Sequence, residues 1–487
     1  MTLADKELIR PPFENDYPGI SIAGFRFFQQ IAGYINSLFS GNGNFVQQGT
    51  GAITRTAQSK MQEGFHVTDF GAVGDGTTND TTAIQAAINA AVALGGSNVI
   101  FPQTVSGDYK ISSKLTVSGK VLLQGTGQYH TRIYCDDCDG IEIAAGVTGV
   151  KINNIEISHA VRYTTTPNTH FGLKFAGSTG SRPFYNIVAD TFFDGFGTAI
   201  ETNWLWSTNF RNVHINYCHV GIYMKGLGCN NTISDCQIKT DGSAGSRGLL
   251  LGDGTNASEG LMVQNSLIYY GEENIEAIAF GQSCIMNCII DYSRKYGIDI
   301  RNSATDMCSG WQISNNYIAV EGANGVTCVS LYNDVDHFQN VGNRVIGNYI
   351  LCYDASTCPK GVVVNGDYGD NNTIMGNVVK DFSDIDISIA KGVGNIVSDN
   401  QCLSASPSTA SIYAVAGNIV RGNVAIGAVN LATATTSGIN GYGSGSGSPS
   451  GSVTPKSIGE EYLDTNAEPK KWYKSIGLTN SDWVALN

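Results

Sequence analysis

Val345–Ile350 (VIGNYI), Ile374–Val379 (IMGNVV), Val397–Cys402 (VSDNQC) and Val420–Ala425 (VRGNVA) are copies of one six-residue pattern, apolar-x-x-Asn-x-apolar. Towards the N-terminus it recurs in Ile313–Ile318 (ISNNYI), Cys284–Ile289 (CIMNCI), Met262–Leu267 (MVQNSL) and Val213–Cys218 (VHINYC). Looser copies lie at Ile233–Ile238, Val188–Phe193 and Ile152–Ile157. Successive copies are 20 to 36 residues apart. Asn holds the fourth position in eight of the eleven: Asn216, Asn265, Asn287, Asn316, Asn348, Asn377, Asn400 and Asn423. A strand-period motif repeated with variable insertions predicts one solenoid coil per copy. Asn suits the bend because it tolerates the left-handed conformation, and stacked Asn amides can bond along the axis. These Asn are expected to hold the coil and take no part in chemistry.

A second strand follows each motif, as in Gly221-Ile-Tyr-Met, Gly248-Leu-Leu-Leu, Gly297-Ile-Asp-Ile and Gly361-Val-Val-Val. Two to three strands per coil predict an all-β chain wound as a right-handed parallel β-helix. Composition agrees. Gly is 59 of 487 residues and charged residues are only 15%, which suits short strands and tight turns and excludes a disordered chain. The net charge of −13 argues against a nucleic-acid partner, which would need a basic footprint. No run of about 20 apolar residues predicts membrane insertion, and the N-terminus has no signal-peptide pattern. Cytoplasmic synthesis is expected, with the 12 Cys acting mostly as buried thiols.

Four zones are visible. Residues 1–62 carry one amphipathic candidate helix, with Phe28, Ile31, Ile35, Leu38 and Phe39 on one face. Residues 63–432 hold the solenoid. Residues 433–454 are rich in Gly and Ser and read as a flexible linker, and 455–487 form a small terminal module. Residues 80–93 are expected as a helix capped by Asn79 or Asp80, with Ile84, Ala87, Ile88 and Ala91 as its apolar stripe. An open solenoid end exposes apolar interior, and this helix would cover it.

The stretch Gly64-Phe-His-Val-Thr-Asp-Phe-Gly-Ala-Val-Gly-Asp-Gly-Thr-Thr-Asn-Asp-Thr-Thr-Ala-Ile-Gln-Ala-Ala-Ile, continuing to Ile111, resembles the opening of the pectate-lyase-like β-helix superfamily, especially bacteriophage tailspikes and capsule depolymerases. The resemblance implies a homotrimer in the virion tail that binds and cleaves bacterial surface polysaccharide. It further implies that residues 1–62 attach the spike to tail or baseplate proteins. No cofactor and no metal are expected.

Glycoside hydrolysis needs two carboxylates, and outward residues in register on neighbouring coils, about 4.8 Å apart, can supply them. Aligning the second strands puts Lys174, Tyr223, Leu250, Glu276, Asp299, Thr327, Val363, Asp386 and Tyr413 outward. Glu276 and Asp299 are consecutive and are the expected catalytic pair, with Glu273 and Asp291 in reserve. Like charges in register would raise one pKa. Tyr270, Arg294, Tyr296, Arg301 and Trp311 surround the pair in sequence and suit a sugar groove. Trp204 and Trp206 alternate at strand spacing and would form a stacking platform if outward. The competing reading of the acids is a salt-bridge ladder. Other acidic groups are Asp384, Asp386, Asp367 and Asp370, and Asp190, Asp194 and Glu201; Asp136, Asp137 and Asp139 also cluster, while His170 and His219 read as lone histidines. The alternatives to a hydrolase are a polysaccharide lyase and a non-catalytic glycan-binding adhesin.

Overall fold

The computed structural model describes residues 29–33, 35 and 44–486, apart from 62, 105, 164–167, 305, 307, 322–325, 335–341, 355–357, 406, 428, 432–442, 446–447, 455–460, 465–466, 468–470 and 478. Residues 29–33 and 35 are helical; Phe28, Leu38 and Phe39, also expected on that helix, lie outside the described residues.

Parallel strands stack into a β-solenoid. One 13-stranded ladder, here ladder A, runs from Leu115–Val117 through Glu273–Ile278 and Tyr296–Arg301 to Val429–Leu431. A second sheet, ladder B, takes most coils' remaining two strands, such as Arg344–Ile346 and Tyr349–Cys352. Alternate side chains of the solenoid strands point inward and fill one continuous core, for example Ile275, Ile298, Val329 and Val362. The helix Thr81–Ala93 closes the N-terminal end, burying Ile84, Ala87, Ile88 and Ala91. Asp80 stands at its N-cap, but its carboxylate bonds elsewhere, to the backbone N–H groups of Val73 (2.7 Å) and Gly74 (3.0 Å). It thereby ties the glycine-rich turn to the cap.

The single Asn column expected from the motif resolves into two neighbouring positions. Asn316, Asn348, Asn377, Asn400 and Asn423 point inward and form a ladder. Each side-chain amide donates to the next Oδ1 at 2.9–3.0 Å, as does each backbone N–H. Asn265 (φ 51°) and Asn287 (φ 54°) sit one residue earlier, at the left-handed bend that Gly347, Gly376 and Asp399 occupy in later coils. Asn216 belongs to neither position, because it lies within the strand Asn209–Cys218. A further ladder, Asn343, Asn372, Asn395 and Asn418, bonds in the same way at the other bend, except that the Asn343 side-chain amide turns to the Cys308 carbonyl.

Cys352 and Cys358 are joined, and the free cysteines are buried apart from half-buried Cys284. Gly443–Gly445, inside the stretch expected as a linker, pairs with Glu461–Asp464 in a small four-stranded sheet. Among the described residues no helix is long and apolar enough to cross a membrane.

Candidate functional site

Ladder A brings Glu276 and Asp299 directly opposite each other, as their outward spacing predicts. The full outward column is Thr116, Glu142, Lys174, Glu201, Tyr223, Leu250, Glu276, Asp299, Ser330, Val363, Ser388, Tyr413 and Asn430. Thr327 and Asp386, expected on it, stand three and two residues before its true members Ser330 and Ser388.

Glu273 joins the pair, and one carboxylate oxygen from each of the three lies within 4.8 Å of the others. All three residues are buried, Glu273 at 0%, Glu276 at 3% and Asp299 at 4% exposure. Burying carboxylates without partners would be prohibitive, and three cations cover them. Arg247 reaches Glu273 at 3.2 Å and also binds Glu272 and Glu276; Lys295 binds Glu273 at 2.9 Å; Arg301 binds Glu276 and lies 3.6 Å from Asp299. The two acids therefore differ. Glu276 is held by two guanidiniums, whereas burial pushes the Asp299 carboxyl up to about 6, with repulsion from Glu273 adding to it. Desolvation, rather than repulsion between the expected pair, is the main cause. Counting Glu272, three cations face four carboxylates in one ion cluster.

The remaining expected residues divide by face. Tyr296 and Arg301 sit on the strand of Asp299. Trp311 is fully buried, which corrects its expected place in a sugar groove: its indole N–H donates inward to the Phe280 carbonyl, and it occupies the bend position that Asn343 takes one coil later. Arg294 is exposed but turns from the acids to the Gly242 carbonyl. Asp291 lies on ladder B, and Tyr270 immediately follows the ladder B strand Leu267–Tyr269. There Tyr270, Tyr292 and Tyr353 stack at 5.1 Å intervals, and the Tyr353 hydroxyl donates to Asp291 (2.9 Å). Trp204 and Trp206 both face the Arg182 guanidinium (5.4 and 4.4 Å). Trp206 lines a cleft of about 410 Å³ with Arg182, Phe184 and exposed Tyr185.

The other acidic groups scatter. Glu201 is clamped between Lys174 and Lys225, 2.9 Å from each. Asp190 accepts from Asn212, Asp367 pairs with Lys391, Asp370 accepts from the Val393 N–H, and Asp384 binds Ser408 and Thr409. Asp386 is fully buried against Ser404, and burial pushes it up to about 6. Asp194 lines a large cavity. His170, expected to be solitary, stacks on His159 at 5.3 Å.

That cavity is a groove of about 680 Å³ on ladder B, which sequence reasoning did not find. Its floor is a column in register: Asp108, Arg132, Glu156, Phe192, His214 and Gln237. Arg162, bound to Asp194 at 3.0 Å, and Lys239 flank it, with Tyr129 and Tyr269 on its walls. Burial raises both Glu156 and Asp194 above the ordinary carboxylate range. Glu156 and Asp194 come from coils separated by an irregular insertion, so no spacing in the chain announces their meeting.

Residues 64–137 match the family model described as rhamnogalacturonase A/epimerase, pectate lyase-like. The tail spike protein of Shigella phage Sf6 is 25% identical over 293 residues, 55% of this chain and 45% of that protein. Mannuronan C5-epimerase AlgE3 of Azotobacter vinelandii is 34% identical over 139 residues, 27% of this chain and 7% of that protein. The chain thus spans less than half the length of either curated relative. Among solved structures, the A-module of the A. vinelandii epimerase AlgE4 superposes with a TM-score of 0.52 at 16% identity, covering 70% of this chain and 96% of the module. Tailspike protein 3 of bacteriophage CBA120 superposes with a TM-score of 0.50 at 13% identity, covering 96% of this chain and 76% of that one. These superpositions establish the β-solenoid fold.

Proposed function

We propose that this chain is a bacteriophage tailspike that binds a bacterial surface polysaccharide and cuts it by endo-glycosidic hydrolysis. The observation that carries the reading is the opposed pair Glu276 and Asp299, two carboxylates in register but in unlike environments. Asp299, with its proton retained to about pH 6, is the general acid that protonates the departing glycosidic oxygen. Glu276, paired with Arg247 and Arg301, is the second carboxylate. Their short separation favours the retaining geometry, with carboxyl groups about 5–5.5 Å apart and Glu276 as nucleophile. Lys295, Tyr296 and Arg301 form the rim across which the glycan enters, and an acidic sugar would pair with its cations. The relatives named above support a polysaccharide as substrate.

The groove of Glu156 and Asp194 supports a second location for the same chemistry. It is the more open of the two sites, and its acids also hold their protons above the ordinary range. Incubating the chain with capsules of candidate hosts separates the readings. New reducing ends identify a hydrolase, ultraviolet absorbance of an unsaturated product identifies a lyase, and retention without cleavage identifies an adhesin. Glu276→Gln and Asp299→Asn against Glu156→Gln and Asp194→Asn then locate the chemistry. A homotrimer joined to tail or baseplate proteins through residues 1–62 completes this reading, and light scattering of the intact chain tests the trimer.

A further inference from the structure

We propose that Asp137, His159 and His170 form a binding site for one divalent transition-metal ion of the zinc class. They come from successive coils at the turn between the two ladders. Asp137 follows the strand Arg132–Cys135, His159 ends the strand Glu156–His159 in register with Cys135, and His170 immediately precedes Phe171–Ala176. One ligand atom from each lies within 4.8 Å of the others.

The hydrogen bonds prepare both imidazoles as ligands. His159 Nδ1 lies 2.8 Å from the Val161 carbonyl and 3.3 Å from the Val161 N–H; the shorter contact is to a group that can only accept, which assigns the proton to Nδ1. His170 Nδ1 lies 3.1 Å from Asp139 Oδ1 and donates to it. Both Nε2 atoms are left as lone-pair donors, and an acceptor holding the far nitrogen is the usual support of a metal-bound histidine. His159 is 6% exposed, and its Nε2 is buried with no hydrogen-bond partner. The nearest candidate, Asp137 Oδ1, is 3.9 Å away, beyond hydrogen-bond reach. An orphaned buried acceptor facing a second imidazole and a carboxylate is explained by an ion between them.

The two separations from Asp137 Oδ1, 3.9 Å to His159 Nε2 and 3.5 Å to His170 Nε2, approach what such an ion requires. Ligand bonds of about 2.0–2.2 Å in a tetrahedron place donor atoms roughly 3.4 Å apart. Asp137 Oδ1 is 3.5 Å from His170 Nε2 already, and the Asp137 side chain is 89% exposed and free to swing. His159 is fixed by its bond to Val161 and by the edge of Phe196 at 5.6 Å. Two imidazole nitrogens and one carboxylate suit Zn²⁺, Co²⁺ or Ni²⁺ and disfavour Ca²⁺ and Mg²⁺, which take oxygen ligands. Three protein ligands leave the fourth position to water.

The test loads the full chain with Zn²⁺ or Co²⁺, removes excess by dialysis and measures metal per chain by mass spectrometry. One equivalent is expected, with the visible bands of a tetrahedral ion in the Co²⁺ form. Asp137→Asn combined with His170→Asn should weaken retention at least ten-fold, and both substitutions avoid the buried His159. Cys135→Ser combined with Cys138→Ser, on the same turn, should retain the ion. No metal on the wild-type chain, equal retention by the Asp137/His170 variant, or loss only with the cysteines would each overturn the site.

Discussion

Glu276 and Asp299 face each other on adjacent strands of ladder A, and Arg301, on the strand of Asp299, bonds to Glu276 while standing 3.6 Å from Asp299. One guanidinium therefore serves two acids unequally, and burial raises the Asp299 carboxyl to about 6. If this pair cuts the glycan, Glu276→Gln or Asp299→Asn lowers turnover by about a hundred-fold or more. Far-ultraviolet circular dichroism and chain association should stay as in the wild type. Wild-type rates in both variants would reject the assignment and leave the solenoid untouched.

The same burial predicts a pH-dependent stability. The folded-state pKa of Asp299 is raised from 3.8 to about 6. Its favourable contribution is therefore complete below pH 3.8 and is lost as pH rises through 6. Asp299→Asn, neutral throughout, should match the wild type near pH 4 and become the more stable above pH 6, by up to about 3 kcal/mol. Thermal melts of both proteins from pH 4 to 8 check this. A difference that does not change with pH would mean that Asp299 is ionised throughout. Activity that depends on protonated Asp299 should fall over the same interval.

The two kinds of Asn should respond differently to replacement. Asn377→Ala removes the bonds to the Val345 carbonyl and Asn400, and strands the N–H groups of Asn348. Each buried unsatisfied group costs about 1–3 kcal/mol, so a loss of about 3 kcal/mol is expected in denaturant unfolding. Asn287→Gly, at the left-handed bend, should change stability by less than about 1 kcal/mol. Equal losses would show that the two columns share one role.

Aromatic residues divide in the same manner. Trp311→Ala opens the core and should destabilise by about 3–5 kcal/mol. Tyr185→Ala, in the exposed aromatic cleft beside Trp206, should leave stability unchanged and weaken glycan retention by about ten-fold, roughly 1.4 kcal/mol. Affinity electrophoresis in capsule-containing gels measures retention. Unchanged migration of the Tyr185 variant would remove the cleft from the binding surface.

Much of the outward column was legible. Glu276 and Asp299 could be paired because Asn274-Ile-Glu-Ala-Ile and Gly297-Ile-Asp-Ile alternate clearly between core and surface. The alignment slipped at Asp386 because Ile385-Asp-Ile-Ser-Ile offers two polar residues between isoleucines, and either register satisfies the alternation. In sequence Glu201 groups with Asp190 and Asp194 rather than aligning on the column, where it stands between Lys174 and Tyr223. Trp311 is expected in the groove because it follows the acid pair in sequence, yet a bend residue can turn its side chain into the coil.

From its residues alone the chain dictates a coil: apolar side chains at alternate positions, residues that accept left-handed backbone at the bends, and Asn amides able to bond to copies of themselves. Those are local properties, written within each six-residue copy. Which carboxylate meets which guanidinium, why Glu156 and Asp194 share a groove, and why His159 faces His170 were decided only when the coils stacked. Stacking joins residues 20 to 40 positions apart across insertions of unequal length, so the neighbours of a side chain depend on turns whose shape is fixed by the assembled core rather than by any one segment.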